Sequence, residues 1–575
     1  MIVLGFNCYG HDSAASIIKD GQLIFSVEEE RLSRKKHDGR FPKQSIQACL
    51  DYAGISIQEV DHICFFWKPS ISLLHVPVYF IKFFNKVPKL LREQKNFTVE
   101  ENLGMINYLK QMRALPARIR EEFEGGKDAR FKFHYFEHHV CHAASAFYPS
   151  GWDEAAILTI DGAGEWSTCL LAHGKGTTIK KLGEVKTPYS LGAFYQAISM
   201  HLGFKLIEGP GKMMALASYG NADGEAYHQL KKLFRFTPNG KFTFDTRYFS
   251  YYYSRKSGVS EKFTQAFGPS KKEGKDWNQQ ELDLAAAAQR LVEEAVMHMA
   301  TWLKKTTGAE NLCLAGGVAL NSVTNGIIAQ SGLFKHIFIQ PAAGDSGTSL
   351  GSALWLQHAV LKQPRNFTME HAFVGPAFTE VDYRSAIEES GLPYQFLGEN
   401  IYDTTAELLE KNDIIAWFQD RMEFGPRALG NRSILTSPLD PEMKDKLNQR
   451  VKFRESFRPF AAIVNEEDCG KYFSSIYPNP YMLLVYDVKE EYQKLMPAIT
   501  HVDGTVRIQT VNATHNPTLR ALLDAFKKRT GHSVLLNTSF NIKGEPIVCT
   551  PTDALKSFKE SLIDYLIIGQ YLVHK

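Results

Sequence analysis

The stretch Ala155–Val185, AAILTIDGAGEWSTCLLAHGKGTTIKKLGEV, reads as an apolar strand ending in Asp161-Gly162-Ala163-Gly164, then a strand, a glycine-rich turn and another strand. The chain opens on the same device. Residues 2–31 run IVLGFN, then the turn CYGHDSAAS, then ASIIKDGQLIFSVEEER, with Asp20-Gly21 placed as a hairpin turn. Two copies of strand, Asp/Gly turn and hairpin predict an internally duplicated α/β unit whose halves face each other across a cleft. Each turn would bring backbone N–H groups and one carboxylate to the strand ends.

Downstream the device recurs. The helical run ELDLAAAAQRLVEEAVMHMATWLKK (281–305) leads into the strand NLCLAGGVALN (311–321), where Gly316-Gly317 would let a nucleotide approach the backbone. Many strand-to-helix turns carry glycines, so that pair is not specific by itself. HIFIQPAAGDSGTSLGSALW (336–355) repeats strand, turn and small-residue helix, with Asp345 as the carboxylate. Between the first two copies, about residues 65–130, lies a helical, Lys/Arg-studded segment containing LKQMRALPARIREEF, read as an insertion or lid whose plainest role is packing. Helical patterning stops near LKQPRNFTMEHAF (361–373), which marks a domain boundary.

Bulk composition excludes several classes. The 575 residues exceed what one core holds and predict at least two large domains. Lys plus Arg is 66 against 63 acidic residues, so a net charge of +3 offers no broad field for nucleic acid or a membrane surface. The basic run Arg34-Lys35-Lys36-His37 reads as a solvated face. Eight scattered cysteines without a CxxC pair point to reduced thiols and a cytoplasmic protein. The N-terminus lacks a signal-peptide pattern, and the most apolar window, ISLLHVPVYFIKFF (71–84), is interrupted by His75, Pro77 and Lys82, so no span is expected.

Two clusters carry chemistry. FEHHVCHAASAFYPSG (136–151) puts His138, His139 and His142 on the first turns of an Ala-rich helix. His138 and His142, four apart, share a face and could reach one ion, although such pairs also occur as surface or hydrogen-bonded core residues. NDIIAWFQDRMEFGPRALGNRS (412–433) and KFRESFRPFAAIV (452–464) place Arg421, Arg427, Arg432, Lys452, Arg454 and Arg458 beside strand-like runs. Arg507 and the polar turn Asn537-Thr538-Ser539-Phe540-Asn541 extend the set, which suits a hold on phosphate or carboxylate. Single arginines could instead pair with Glu423 or Glu455. His11 and Asp12 face the cleft if the duplication is real, and either could orient or deprotonate a hydroxyl. Asp12 could equally cap a following helix.

With GHDSAAS, VEEERLSRKKH, EHHVCHAASAF, TIDGAGEWST, EGPGKMMALASYG, LAGGVALN, GDSGTSLG, RMEFGPRALGNRS, KFRESFRPF and LNTSFN in this order, the chain resembles the O-carbamoyltransferases of antibiotic and nodulation-factor biosynthesis over nearly its whole length. The resemblance implies an α/β architecture: a duplicated actin-like, sugar-kinase-like domain over 1–365 and an adenylate-forming, YrdC-like α/β domain over 366–575. It implies that carbamoyl phosphate and ATP, with Mg2+, give carbamoyl adenylate in the second domain. The carbamoyl group then passes to a hydroxyl of a small-molecule acceptor in the first. By position, His138, His142, Asp161 and Asp345 match the family's metal ligands for Fe(II) or another divalent ion. Lys452, Arg458, Arg507, Ser539, Asn541 and Arg427 match its carbamoyl phosphate and adenylate contacts, with Lys452, Arg458, His11 and Asp12 as the catalytic set. Gly162, Gly211, Lys212, Gly316, Gly317 and Asn321 are the expected nucleotide-binding positions. No nucleic acid or membrane partner is expected, and a homodimer is compatible. The competing readings are a tRNA threonylcarbamoyl-transfer enzyme, which the near-neutral charge disfavours, and a nucleotide-binding scaffold without chemistry.

Overall fold

IVLGFN forms β1 (Ile2–Asn7), and its side chains go alternately to two cores, Val3 to one and Leu4 and Phe6 to the other. A strand covered on both faces is a continuous apolar run. The computed structural model describes residues 1–75, 99–252, 258–274, 276–474 and 477–575. β1 pairs antiparallel with β2 (Ala14–Lys19), which returns through Asp20 and Gly21, both at positive φ, into β3 (Gln22–Glu28). On its other side β1 pairs parallel with β4 (His62–Phe65), and β4 with β5 (Lys132–Tyr135). The sheet order is β3-β2-β1-β4-β5.

The second sheet repeats this plan. It contains β6 (Glu154–Ile160), β7 (Ser167–Lys175) and β8 (Thr178–Lys186) as antiparallel neighbours. After a separate hairpin of β9 (Phe234–Phe236) and β10 (Phe242–Phe244) come β11 (Asn311–Ala315), parallel to β6, and β12 (His336–Ile339), parallel to β11. The order β8-β7-β6-β11-β12 matches the first sheet strand for strand and direction for direction, so the predicted duplication is present in the topology.

The helices that bear on the site are, in order, α1 (Glu29–Ser33), α2 (Val99–Glu122), α3 (His138–Phe147), α4 (Gly209–Leu216), α5 (Gln279–Thr307), α6 (Ser322–Gln330) and α7 (Ser346–Leu354), with others between them. α2 lies in the expected insertion; residues 76–98 of that insertion are outside the described residues. α3 follows β5 and α7 follows β12, so they are equivalent helices of the two copies, and they pack on each other. Their crossing demands glycine: a Cβ on Gly351 would lie 1.9 Å from the Cys141 carbonyl oxygen. A Cβ on Gly5 would likewise lie 1.9 Å from the Ser349 carbonyl oxygen, so α7 rests directly on β1.

Beyond the predicted boundary the remaining strands join one nine-stranded mixed sheet. These are β13 (Tyr394–Phe396), β14 (Ile415–Phe418), β15 (Arg432–Thr436), β16 (Ala461–Asn465), β17 (Leu484–Asp487), β18 (Thr505–Val511), β19 (Val534–Ser539), β20 (Tyr565–Ile568) and β21 (Tyr571–Val573). Their order is β13-β21-β20-β14-β15-β19-β16-β18-β17. The boundary segment is itself structural. Arg365 donates to the carbonyls of Phe147, Tyr148, Trp152 and Gly176, capping the C-terminal end of α3 while its guanidinium lies 4.4 Å from the Phe147 ring. The two regions are in close contact, with Asn325 Nδ2 donating to the Leu483 carbonyl at 3.0 Å.

Two expectations change. β2, not a helix, follows GHD, so Asp12 has no helix to cap. The run Arg34-Lys35-Lys36-His37 is only partly a solvated face. Arg34 donates to the carbonyls of Ile547 (2.7 Å) and Pro546 (3.0 Å), and Lys36 pairs with Glu208 at 2.5 Å. All eight cysteines are free and buried, and no described helix is long and apolar enough to cross a membrane.

Candidate active site

α3, the end of β6 and the start of α7 bring together four side chains that could hold one metal ion. His138 and His142, one turn apart on α3, present their Nε2 atoms 3.1 Å from each other. Asp161, at the end of β6, sets Oδ2 2.9 Å from His142 Nε2 and 3.6 Å from His138 Nε2. Asp345, just ahead of α7, sets Oδ1 3.7 and 3.8 Å from the same nitrogens. These are separations that ligands sharing one ion at about 2.1 Å require. Two imidazoles and two carboxylates form a mixed N/O donor set for a divalent first-row metal, and they fit one. In the protein alone, burial opposes the charged forms. The two histidines nevertheless hold the Asp161 carboxyl well below the usual carboxylate range.

The backbone fixes these ligands. Asp161 accepts the N–H of Gly162 at 2.5 Å and of Gly317 at 3.1 Å. Gly316, at φ +91°, permits this approach, since a Cβ there would meet the Ile160 carbonyl oxygen at 2.2 Å. Glu165, which sequence reasoning missed, is buried and accepts the backbone N–H groups of His138 (3.1 Å) and Lys68 (2.7 Å), anchoring the first turn of α3. Its position inside the Asp/Gly turn DGAGE was the available signal. His139 turns away and bonds Thr159 Oγ1 through Nδ1 at 2.7 Å, so it is a packing residue beside the cluster.

His11 and Asp12 adjoin the cluster. His11 Nδ1 is 2.6 Å from Asp12 Oδ2, its Nε2 is 3.9 Å from Asp345 Oδ2, and its side chain is 46% exposed. Burial lowers the basicity of His11, but the Asp12 hydrogen bond and the charges of Asp345, Asp12 and Asp161 outweigh it and raise its pKa to about 10. A cation held by Asp161 and Asp345 would cancel much of that pull.

The second cluster lies between the nine-stranded sheet and the duplicated region. Lys452 is 7% exposed, and its ammonium meets only neutral acceptors: Asn541 carbonyl and Oδ1, both at 3.1 Å, and the Ser539 carbonyl at 2.5 Å. Arg427, on the β14–β15 loop, donates to the Leu320 carbonyl at 3.4 Å. Arg507 of β18 and Arg427 keep buried Nε atoms without a partner among the described residues. Within salt-bridge distance the five cations Arg427, Lys452, Arg454, Arg458 and Arg507 meet one described acid. That acid is Glu455, 3.9 Å from Arg458 and already 2.9 Å from Lys212. Burial pushes all five down, and repulsion from neighbouring cations adds to it for all but Arg458: Arg427 falls to about 10, Arg454 to about 9, and Arg507 and Lys452 well below their ordinary values. With Lys452 buried and the four arginines half-buried, so much uncompensated positive charge suits an anion.

Other predicted residues separate from these clusters. Arg421 donates to the carbonyls of Gly375, Ile24 and Val374, and Arg432 to those of Gln419, Asn431 and Asp420 while lying 3.7 Å over the Phe418 ring. Both are framework residues, which corrects their assignment to the anion cluster. Of the nucleotide positions, Gly162, Gly316 and Gly317 gather at Asp161, whereas Lys212 on α4 joins the cation cluster, with Gly211 beside it. Asn321 caps α6, accepting from Thr324 N, and donates to Gln289 Oε1 at 2.9 Å.

Family models described as Carbamoyltransferase N-terminus and Carbamoyltransferase C-terminus match residues 2–354 and 406–575. The chain is similar to sll1178 of Synechocystis, 39% identical over 607 residues, covering 100% of this chain and 96% of that protein. It is similar to nodulation protein NolNO of Sinorhizobium fredii, 35% identical over 99% of this chain and 80% of that one. Nodulation protein NolO of Bradyrhizobium diazoefficiens is 37% identical over 76% and 78%. Among solved structures, (R)-2-hydroxyglutaryl-CoA dehydratase component A of Acidaminococcus fermentans covers 62% of this chain and 97% of its own. It does so at 14% identity and a TM-score of 0.31, a likeness too low to argue from.

Proposed function

The chain belongs to the carbamoyltransferase family and is a carbamoyltransferase, and we propose that it is an ATP-dependent O-carbamoyltransferase dividing two steps between residues 1–365 and 366–575. The observation that carries the proposal is the cation cluster of buried Lys452 and half-buried Arg427, Arg454, Arg458 and Arg507, matched by a single described acid. It would hold carbamoyl phosphate and then the phosphates of ATP. Water cleaves carbamoyl phosphate to carbamate and phosphate, a carbamate oxygen attacks the α-phosphorus of ATP, and pyrophosphate leaves. Lys452, oriented by Ser539 and Asn541, and Arg458 would offset charge on the phosphoryl oxygens.

The carbamoyl adenylate would then pass to the other cluster. The short 3-10 helix Gly317–Leu320 touches both, donating to Asp161 at one end and accepting from Arg427 at the other. Four residues of such a helix span only about 6 Å, so the transfer would cover a short distance, and a water-excluded route would limit hydrolysis of the reactive intermediate. There the acceptor oxygen bonds the carbonyl carbon, AMP leaves, and the hydroxyl proton goes to His11 Nε2, with Asp12 holding the other ring nitrogen. His138, His142, Asp161 and Asp345 would hold the divalent metal, Fe(II) by resemblance, which supplies Lewis-acid stabilisation of developing negative charge. The test is carbamoyl-phosphate-dependent ATP–pyrophosphate exchange, followed by metal analysis of the purified protein.

A further inference from the structure

Asp12 is held from two sides. One carboxylate oxygen takes His11 Nδ1 at 2.6 Å, and the other takes His37 Nδ1 at 3.0 Å. His37 is not free to wander. Its backbone sits at φ +55°, a conformation seldom adopted by a residue with a Cβ, and its N–H donates to Glu30 Oε2 at 2.8 Å. The segment carrying it packs on the Asp12 turn: Tyr9 N donates to the Gly39 carbonyl at 2.6 Å, and a Cβ on Gly39 would meet the Gly10 carbonyl oxygen at 2.2 Å. The same segment is anchored on the far side, where buried Arg31 donates to the Gly425 carbonyl at 2.9 Å and Arg34 to that of Ile547 at 2.7 Å.

The geometry points to His37 as a positioning residue: by donating from Nδ1 to Asp12, it fixes the carboxylate that orients His11, so that His11 directs Nε2 at the acceptor hydroxyl. This rests on the two-step reading above and on His11 as the proton acceptor. A carboxylate bonded to one imidazole can rotate about χ2, whereas one clamped between two cannot, and a base held by a fixed carboxylate keeps its tautomer. Although burial works against ionisation, the bonds from His11 and His37 keep Asp12 well below the usual carboxylate range, as a permanent anion in this role should be. Because Arg31 and Arg34 tie the segment to the nine-stranded region, the orientation of the base depends on the docking of the region assigned to adenylate formation.

The experiment uses the full chain with ATP, carbamoyl phosphate and Fe(II), with water as the hydroxyl probe. Exchange of pyrophosphate reads adenylate formation, and AMP release reads its turnover. His37→Leu should leave exchange near the parent value and slow AMP release about tenfold or more. His37→Asn, which keeps an N–H donor at the position of Nδ1, should restore most of the loss. Equal falls in both rates would mean that His37 only supports the fold and would overturn the proposal. So would unchanged AMP release, or Asn behaving as Leu. A parent protein without carbamoyl-phosphate-dependent exchange would overturn the underlying reading instead, and this inference with it.

Discussion

Arg427 reaches from the β14–β15 loop to the carbonyl oxygen of Leu320, 3.4 Å away, at the end of the short helix whose first residue, Gly317, donates to Asp161. Two clusters of opposite character, one acidic and histidine-bearing, one cationic, therefore share a single structural element. Their chemical demands differ, and that difference allows them to be separated by mutation.

His142→Ala removes the nitrogen nearest Asp161, and Asp161→Asn removes a charge from the same group. Losing one of four ligands should lower the divalent metal content of the purified protein substantially. Pyrophosphate exchange should survive in both variants, while carbamoyl transfer falls at least a hundredfold. Metal content equal to the parent's, measured by plasma emission, would dismiss the four residues as ligands.

Lys452 gives a pH signature. Burial, with repulsion from Arg454, Arg458 and Lys36, holds its ammonium well below the ordinary value. Below the folded-state pKa both states are charged and stability does not depend on this proton. Above it, up to the unfolded value of about 10.4, the unfolded chain binds more protons, so stability rises with pH. The anion-free protein should gain stability on going to alkaline pH, and Lys452→Met should lose that gain. Pyrophosphate should raise the melting temperature of the parent and shrink the pH dependence. Urea midpoints that move with pH equally in parent and variant would refute this.

Arg365→Ala should destabilise the protein without touching either cluster. It deletes charge-assisted bonds to the carbonyls of Phe147 and Tyr148 at the end of the histidine helix, and to those of Trp152 and Gly176. The loss should be on the order of 2–4 kcal/mol. Urea unfolding that shifts by a few tenths of that would show that solvent replaces the bonds.

Gly351→Ala tests the helix crossing that assembles the metal ligands. The added methyl meets the Cys141 carbonyl oxygen at 1.9 Å, so α3 and α7 must separate. A cost of about 1–3 kcal/mol is expected, together with weaker metal binding, because His138 and His142 lie on one helix and Asp345 at the start of the other. Unimpaired metal affinity would mean that the ligands adjust independently of the crossing.

How much of this was legible in the sequence follows from what each residue bonds. The strand and turn pattern of IVLGFN and AAILTIDGAG marked both copies of the duplicated sheet, because strands buried on both faces must be apolar. The candidate ligands His138, His142, Asp161 and Asp345 could be picked out by helix spacing, Asp/Gly turns and the family resemblance. Arg421 and Arg432 could not be told apart from Arg427, since a guanidinium that serves backbone carbonyls looks the same in sequence as one that serves a phosphate. His37 was hidden in a basic run whose neighbours suggested solvent, and its partner Asp12 lies 25 residues away. Arg365 stood in a segment whose Pro and Asn read only as a break, yet it caps a helix that ends 218 residues earlier.

The most direct test of the account is ATP–pyrophosphate exchange by the purified full chain, run with and without carbamoyl phosphate, in the parent and in Arg458→Ala. The account predicts exchange only with carbamoyl phosphate in the parent, and a loss of at least about tenfold in the variant, the cost of one charge-assisted phosphate contact. Exchange that ignores carbamoyl phosphate, or that persists undiminished without Arg458, would contradict it.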